Sequence, residues 1–550
     1  MNTRPALKLD SNEGPLPPPA LLAALAMLDP EALRRYPDVS ALEATLASRV
    51  GVAPNRVIVT AGGDDAIDRV CRAYLGAGRS MLLSEPTFEM FDHFAKLAGA
   101  ATLVRVPWRC GEFPLAAFLD RLEEQPAVPA VIAIVSPNNP TGATATAADV
   151  RRLAEAAPGA LVLLDHVYVE YADEDLTPAV IDLPNVVVLR TLSKAWGLAG
   201  CRIGYAIGSP DVIATLRRSG APYSVAGPSV AVALRQLADG EGALREHVAR
   251  AREERKALCA RLTALGLEPL PSQANFILAE CGVRAPFLTA ALAALGVFVR
   301  AFPNRPGLTS ALRITLPGNA AAFERLVAAF ETALAPEALL FDLDGVLADV
   351  QHSQRAAIPA TAQSFGVPVT SAQVAAAIRA GDAANDWLVT QRLIEAGGKR
   401  VSLADVTTRF QSLYLGLRER ERLIPPISLL EQLAARLPLA LVTGRPRAEA
   451  QWFLDRAGMA PLFGTVVTME DARPKPDPEP VRLALERLGV RRAWMIGDTP
   501  DDVRGAAQAG VLPLGIVAPG DDASLVSAAL RHAGAARVLE RLSDLLELLP

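Results

Sequence analysis

Lysine is scarce in this chain. Of 55 basic residues only Lys8, Lys96, Lys194, Lys256, Lys399 and Lys475 are lysines, so a lysine inside a polar motif carries more weight than usual. Lys194 follows the apolar run 186–191 by three residues. A primary amine just past a buried strand is placed to form an imine with an aldehyde cofactor. Asp165, closing a neighbouring apolar run, could pair with a protonated ring nitrogen. Tyr168 and Asn139 could donate to a ring hydroxyl, and Phe88 offers a face for stacking. Gly62 and Gly63 open a helix whose free N–H groups suit a phosphate, with Ser193 and Arg202 completing the cup.

A second constellation lies far downstream. Asp342 and Asp344 stand two residues apart directly after the apolar run 338–341, and two acids so close need a cation. A Mg²⁺ ion there would neutralise an incoming phosphate, letting Asp342 attack phosphorus while Asp344 protonates the leaving alcohol and later activates water. Thr443, in Thr-Gly-Arg-Pro, offers a hydroxyl and backbone N–H groups to phosphate oxygens. Lys475, in Arg-Pro-Lys-Pro-Asp, is a compact charge able to steady nucleophile and phosphoryl group together. Asp498 and Asp502 follow a third apolar run, the first as a metal ligand and the second as its supporting acid. The expected metal set is therefore Asp342, Asp344, Asp498 and Asp502.

These residues need strands to carry them. Short apolar runs at 57–60, 81–83, 103–106, 130–135, 161–165, 186–191 and 204–207 alternate with helical stretches, which predicts an α/β unit with a wound, mostly parallel sheet. From about 229 to 335 the pattern becomes helix-rich, with one long amphipathic run over 230–265 and strands at 275–278 and 312–315, a smaller α+β domain. At Pro336 the pattern restarts: runs at 338–341, 439–442, 493–496 and 513–517 predict a second, Rossmann-like sheet. About eighty residues separate its first two strands, longer than an ordinary crossover, so a helical cap is expected at about 353–435. The expected organisation is a first half over 1–335, with a large domain at about 31–225 and a small one from about 1–30 and 226–335, then a second half over 337–550.

Composition limits the alternatives. A chain of 550 residues exceeds a single core. Its 51% hydrophobic and 21% charged content with net charge −5 argues against disorder and against a nucleic-acid-coating role. The apolar runs fall short of a membrane span, and the start lacks a basic segment followed by an apolar stretch. Cys71, Cys110, Cys201, Cys259 and Cys281 are odd in number and widely spaced, giving neither a disulfide framework nor a zinc site. They are expected to be small buried apolar groups in a protein of the reducing cytoplasm.

The segments TLSKAWGLAGCRIGY, SPNNPTG, LLDHVY, RYPD and LRIT, all within 10–335, resemble the fold-type-I aminotransferases that use pyridoxal phosphate, most closely the histidinol-phosphate aminotransferases. The resemblance implies that Lys194 is the imine-forming lysine and proton shuttle, that Asp165 holds the pyridine nitrogen protonated, and that Tyr168 and Asn139 bind the 3-hydroxyl. It places Gly62, Gly63, Asp64, Ser193 and Arg202 around the phosphate, Arg313 on the substrate carboxylate and Arg300 on the substrate phosphate. Tyr36, in RYPD, matches the tyrosine that family members lend to a neighbouring subunit's cofactor, which implies a homodimer. Three departures leave the substrate open: Phe88 where Tyr is usual, Asp165-His166-Val167-Tyr168 for Asp-Glu-Ala-Tyr, and Asn12-Glu13-Gly14-Pro15 for Asn-Glu-Asn-Pro. Phosphothreonine decarboxylases are close neighbours of that family. His166 is expected to be a packing residue, and Asp65 a first-turn helix acid.

The downstream motifs, in their order, resemble the haloacid-dehalogenase superfamily over 337–550, and Asp344 favours its phosphatase branch. In histidine biosynthesis amino transfer to imidazole-acetol phosphate comes directly before removal of phosphate from histidinol phosphate. The fusion therefore suggests consecutive steps on small-molecule substrates, glutamate serving as amino donor. Three alternatives stand beside it: a phosphatase for an unrelated ester, an aminotransferase or decarboxylase of other specificity, and a non-catalytic second module.

Overall fold

The computed structural model describes residues 5–124, 128–381 and 385–549. Two compact units emerge. One comprises Lys8–Ala285 with Val299–Arg325, and the other Leu326 onward, together with 5–7 and Pro286–Phe298.

In the first unit seven strands form one sheet in the order Val57–Thr60, Gly204–Gly208, Val186–Thr191, Leu161–Asp165, Val131–Val135, Ser80–Glu85 and Thr102–Pro107. Gly204–Gly208 runs antiparallel to both its neighbours, and the remaining pairs are parallel. The central strands are buried along their whole length, as expected of a sheet covered on both faces. Ile58, Met81, Val131, Leu163 and Leu189 are all but fully buried. Each such aliphatic side chain is worth about 1.5–3 kcal/mol in apolar transfer, so the strand ends are firm platforms. Phe276–Glu280 and Ala311–Thr315 pair antiparallel, with Phe276 opposite Thr315, and Arg300 lies opposite Arg313. The amphipathic run expected over 230–265 is two helices, Gly227–Asp239 and Glu241–Ala264, parted at Gly240.

The second unit carries a six-stranded, all-parallel sheet in the order Phe463–Val467, Leu439–Val442, Ala338–Phe341, Ala493–Gly497, Leu512–Ile516 and Arg537–Leu539. Ala338–Phe341 lies at its centre, so the strands leading to Thr443 and Asp498 flank the one leading to Asp342. Between the first two strands in sequence come the helices Gln354–Ser364, Ser371–Ala380, Asp386–Ala396 and Leu403–Leu417. Thr370, Asn385 and Ser402 cap three of them. Ile358, Val374, Val389 and Phe410 give this insertion its own apolar core. A two-stranded ribbon of Ala348–Asp349 and Arg422–Leu423 closes the insertion at its base. The helix Ile427–Ala434 lies beyond the ribbon, on the approach to Leu439.

Two minor expectations meet the structure differently. Cys71 and Cys281 are buried, but Cys110 is exposed and Cys201 and Cys259 are half-buried. Asp65 does sit in a first helical turn, accepting from the Ala61 N–H at 2.9 Å and pairing with Arg69 at 3.1 Å.

His166 packs in the interior, 1% exposed. Its Nδ1 meets the Ser136 carbonyl, and its Nε2 accepts from the Leu176 N–H at 3.2 Å, an arrangement only the neutral ring satisfies. Burial pulls its pKa down to about 4, helped by Arg190 and opposed by the Ser136 carbonyl and Asp175. The unfolded chain therefore binds a proton at His166 between about pH 6.5 and pH 4 that the folded chain refuses, and stability falls as pH falls through that window. At pH 5 this residue is expected to cost on the order of 2 kcal/mol relative to neutral pH. Denaturation of wild type and His166→Gln at pH 7 and pH 5 checks this: the variant should show the smaller loss.

Candidate active sites

The polar residues that end the strands of the first sheet line a cavity of about 300 Å³. Gly63, Asp64, Phe88, Asn139, Asp165, Tyr168, Ser193, Lys194, Arg202, Arg300 and Arg313 all face it. Asp165 is in register with Val135 on one side and Leu189 on the other, which sets it between the loops bearing Asn139 and Lys194. Burial pushes Asp165 up to about 7, with Asp64 adding to the effect and the Val167 N–H and Lys194 opposing it. A cationic ring nitrogen against it would relieve that cost. Lys194 Nζ lies 3.3 Å from the Ser11 carbonyl and 5.7 Å from the centre of the Tyr168 ring.

The expected anion cup brings the first turn of the helix Gly62–Tyr74 together with Ser193 and Arg202, and Gly63 rather than Gly62 lines the cavity. Gly62 has φ +86°, and a Cβ there would stand 2.5 Å from an Arg202 nitrogen, so only glycine lets the guanidinium approach. Arg202 pairs with Asp64 at 3.2 Å. Ser193 Oγ is buried with no hydrogen-bond partner, an orphan that a phosphate oxygen would satisfy. These residues fit pyridoxal phosphate: an amine, an acid for the ring nitrogen, donors beside it and a cup with an unused hydroxyl.

Arg313 is the incomplete charge of this cavity. Only 8% exposed, it donates to Asn139 Oδ1 and to the Asp10 carbonyl, each at 2.6 Å, while its Nε has no partner. Both acceptors are neutral, so a substrate carboxylate would supply the counter-charge. Arg300 is more open and pairs with Glu89 at 3.3 Å. Tyr36 does not join the cavity of its own chain. It is 79% exposed and stacks on Tyr223 with ring centres 4.5 Å apart.

In the second unit a cavity of about 150 Å³ is lined by Asp342, Asp344, Thr443, Lys475, Asp498 and Asp502, and by Gln354, Asp386 and Phe410 from the inserted helices. Asp342, Asp498 and Asp502 converge, offering oxygens within 4.8 Å of one another. Asp344 was expected to join this set, but its carboxylate is turned aside to Arg445, with Nε 2.7 Å from Oδ1. Lys475 Nζ touches Asp342 Oδ1 and Asp502 Oδ1, both at 2.5 Å, and donates to the Val442 carbonyl at 2.9 Å. Burial raises the pKa of Asp342, Lys475 opposing and Asp502 and Asp344 adding. Asp498 is raised well above the carboxylate range by burial, with Arg355, 3.4 Å away, opposing. Burial pulls the Lys475 ammonium down, yet Asp342 and Asp502 outweigh it and hold the group above its ordinary value. The three converging acids face one lysine and one arginine, a donor set of hard oxygens that fits a divalent cation such as Mg²⁺. Gly345, at φ +73°, leaves room for the Asp498 carboxylate: a Cβ there would stand 2.1 Å from Asp498 Oδ2.

Residues 4–330 match the family described as aminotransferase class I and II. The chain belongs to that family. Residues 336–510 match haloacid dehalogenase-like hydrolase, so an aminotransferase domain continues into a hydrolase domain. A histidinol-phosphate aminotransferase from Roseiflexus castenholzii is 38% identical over 323 residues, covering 56% of this chain and 85% of that protein. A protein named imidazoleglycerol-phosphate dehydratase, from Phytophthora nicotianae, is 41% identical over 237 residues, 39% of this chain, and the match spans about half, 52%, of that relative. The crystal structure of histidinol-phosphate aminotransferase from Sinorhizobium meliloti in complex with pyridoxal-5'-phosphate aligns with a TM-score of 0.54 at 28% identity, over 60% of this chain and 90% of that one. Among the described residues no helix is long and apolar enough to cross a membrane.

Several residues of this aminotransferase and hydrolase pair escape a reading of strand ends. Asn12, at φ +55°, donates to the Tyr168 hydroxyl at 3.0 Å and accepts from Thr315 Oγ1 at 2.9 Å. Gly14 has a physical reason: a Cβ there would stand 1.7 Å from the Lys194 carbonyl, so the asparagine usual in the family has no room in this backbone. Arg305 lines the first cavity and donates to the Thr87 carbonyl at 2.5 Å. In the hydrolase site Arg445 belongs to the Thr-Gly-Arg-Pro motif, but its partners Asp344, Tyr414 and Glu421 lie far off in sequence.

Lys475 separates two buried acids, so its loss is more than the loss of a contact. Lys475→Met should destabilise the hydrolase domain at neutral pH by about 3–5 kcal/mol, the cost of stranding buried charge. Adding Asp502→Asn should restore part of it. Denaturation of the single and double variants checks the sign.

Proposed function

We propose that the chain is a bifunctional enzyme of histidine biosynthesis. Its first site would transfer an amino group from glutamate to imidazole-acetol phosphate, giving histidinol phosphate and 2-oxoglutarate, and its second would remove the phosphate with Mg²⁺. The observation that carries the first half is the half-satisfied Arg313 guanidinium 2.6 Å from Asn139, beside Lys194 and Asp165 in one cavity. Arg300 and Arg305 bring two further guanidinium groups to the same cavity, a setting for a phosphate on the substrate's far end. The names of two relatives support the pathway. Dehydration of an imidazoleglycerol phosphate yields a ketone phosphate, and transamination of such a ketone yields histidinol phosphate.

Bound pyridoxal phosphate would supply the electron sink. The chain's own residues would do the rest: Arg313 orients the α-carboxylate, Asp165 holds the ring nitrogen protonated, Tyr168 and Asn139 position the ring hydroxyl, and Lys194 Nζ moves the proton at the substrate carbon. In the second site Lys475 holds Asp342 Oδ1, leaving the other oxygen to attack phosphorus as the ester P–O bond breaks. Asp344 gives a proton to the leaving oxygen, then accepts one from the water that splits the phosphoryl-aspartate. Thr443 and its neighbouring N–H groups hold the phosphate, and Mg²⁺ would offset its charge. Tyr36, exposed on one subunit, would complete the cavity of another in a homodimer.

Phosphate release from histidinol phosphate in Mg²⁺ tests this reading. Asp342→Asn should lower release by about 10³-fold or more and leave transamination intact, and Lys194→Ala should do the reverse. Tyr36→Phe should loosen cofactor retention. A pure protein that cleaves generic esters but not histidinol phosphate contradicts the consecutive-step reading, and a monomer with full transaminase activity contradicts the shared site.

A further inference from the structure

Arg445 grips Asp344 by one oxygen only. Arg445 reaches its Oδ1 with Nε at 2.7 Å and with Nη2. The remaining nitrogen, Nη1, turns away to Glu421 Oε2 at 3.0 Å and to the Tyr414 hydroxyl at 3.3 Å. Glu421 is itself held, its Oε1 accepting from Ser353 Oγ at 2.9 Å. Arg445 and Glu421 are each 2% exposed, and Ser353 and Tyr414 are fully buried. Gln354, with its amide nitrogen toward the carboxylates, reaches Asp344 Oδ2 at 3.1 Å and Asp386 Oδ2 at 3.2 Å.

The partners come from both chain crossings of the helical insertion. Ser353 lies where the chain leaves the ribbon strand Ala348–Asp349 for the first inserted helix. Glu421 lies on the return, immediately before Arg422–Leu423, and Tyr414 belongs to the last inserted helix. One guanidinium therefore joins the base of the insertion to the acid–base carboxylate of the core.

A guanidinium has five donors in a fixed fork and pairs readily with both oxygens of a carboxylate. Here Nε and Nη2 both meet Oδ1, while Nη1 is held by Glu421 and the Tyr414 hydroxyl, which fixes the angle at which the guanidinium faces Asp344. We infer that Glu421 is a positioning residue for the hydrolase reaction: it holds Arg445 in a side-on grip on Asp344 Oδ1 and keeps the guanidinium off Oδ2, which Gln354 meets at 3.1 Å and which has a second lone pair for the proton of the leaving oxygen. Without Glu421 the guanidinium loses the second acid it touches and is free to turn so that Nε and Nη2 meet both oxygens of Asp344. This inference rests on the phosphatase reading above.

Two aryl esters separate positioning from general stability, because phenyl phosphate needs its leaving oxygen protonated far more than p-nitrophenyl phosphate does, phenol having a pKa of about 10. The quantity to read is kcat/KM, which covers the steps up to departure of the phenol. Glu421→Ala should lower it about tenfold more for phenyl phosphate than for p-nitrophenyl phosphate. Glu421→Gln, which keeps an acceptor for Nη1, should recover part of that difference. Tyr414→Phe, which preserves the packed ring, should shift the ratio the same way by a smaller factor. Denaturation of each preparation, read at the transition of the hydrolase domain, reports that this domain is folded. Equal losses on both esters, or none, in Glu421→Ala would overturn the inference, and so would equal losses in Tyr414→Phe should Glu421→Ala prove insoluble. A wild-type chain that cleaves neither ester would instead overturn the phosphatase reading itself.

Discussion

Burying an ionised side chain costs several kcal/mol unless an opposite charge stands against it, and both sites of this chain are built around charges whose partners are incomplete. In the aminotransferase cavity the deficit is negative charge beside a cation: Arg313 is nearly buried and leans on two neutral oxygens. Arg202, Arg300 and Arg305 in the same cavity each have an acid within reach. In the hydrolase cavity the deficit is reversed, since Asp342, Asp498 and Asp502 converge on Lys475, with Arg355 behind Asp498. Each imbalance selects a ligand class. A carboxylate would complete the first, a divalent cation with a phosphate the second.

Parallel strands make such imbalances possible. Side chains that leave a sheet at the carboxyl ends of adjacent strands meet although they are far apart in sequence. Asp165 and Lys194 meet in this way, as do Asp342, Thr443 and Asp498. The strands behind them are buried along their whole length, and this packing bears the electrostatic cost at their tips.

This logic also marks what was legible in the sequence. A polar residue just past an apolar run is visible without any structure, which is why Lys194, Asp165, Asp342 and Asp498 stand out; all four line the cavities, as does Lys475, which follows no such run and stands out by the scarcity of lysine. Direction and partnership are less visible. Nothing in the run 204–207 announces that its strand is antiparallel to both neighbours. The strand Phe463–Val467 is broken in pattern by Gly464 and half-exposed at its centre, and Val297–Ala301 is likewise alternately open. Asp344 could be read as an acid beside an acid, but its partner Arg445 lies 101 positions later and is shared with Glu421 at the return of the insertion. Asn12 and Gly14 act through Tyr168 and the Lys194 backbone, contacts that no spacing rule anticipates.

The account turns on uncompensated buried charge, and the three converging acids are its clearest case. Calorimetric titration of the purified chain with Mg²⁺, repeated on Asp498→Asn, measures it directly. The account predicts one saturable site in the wild type and its loss in the variant, since removing one of three oxygen donors removes both the charge excess and a ligand. A wild-type chain that takes up no Mg²⁺, or a variant that binds it unchanged, would contradict it.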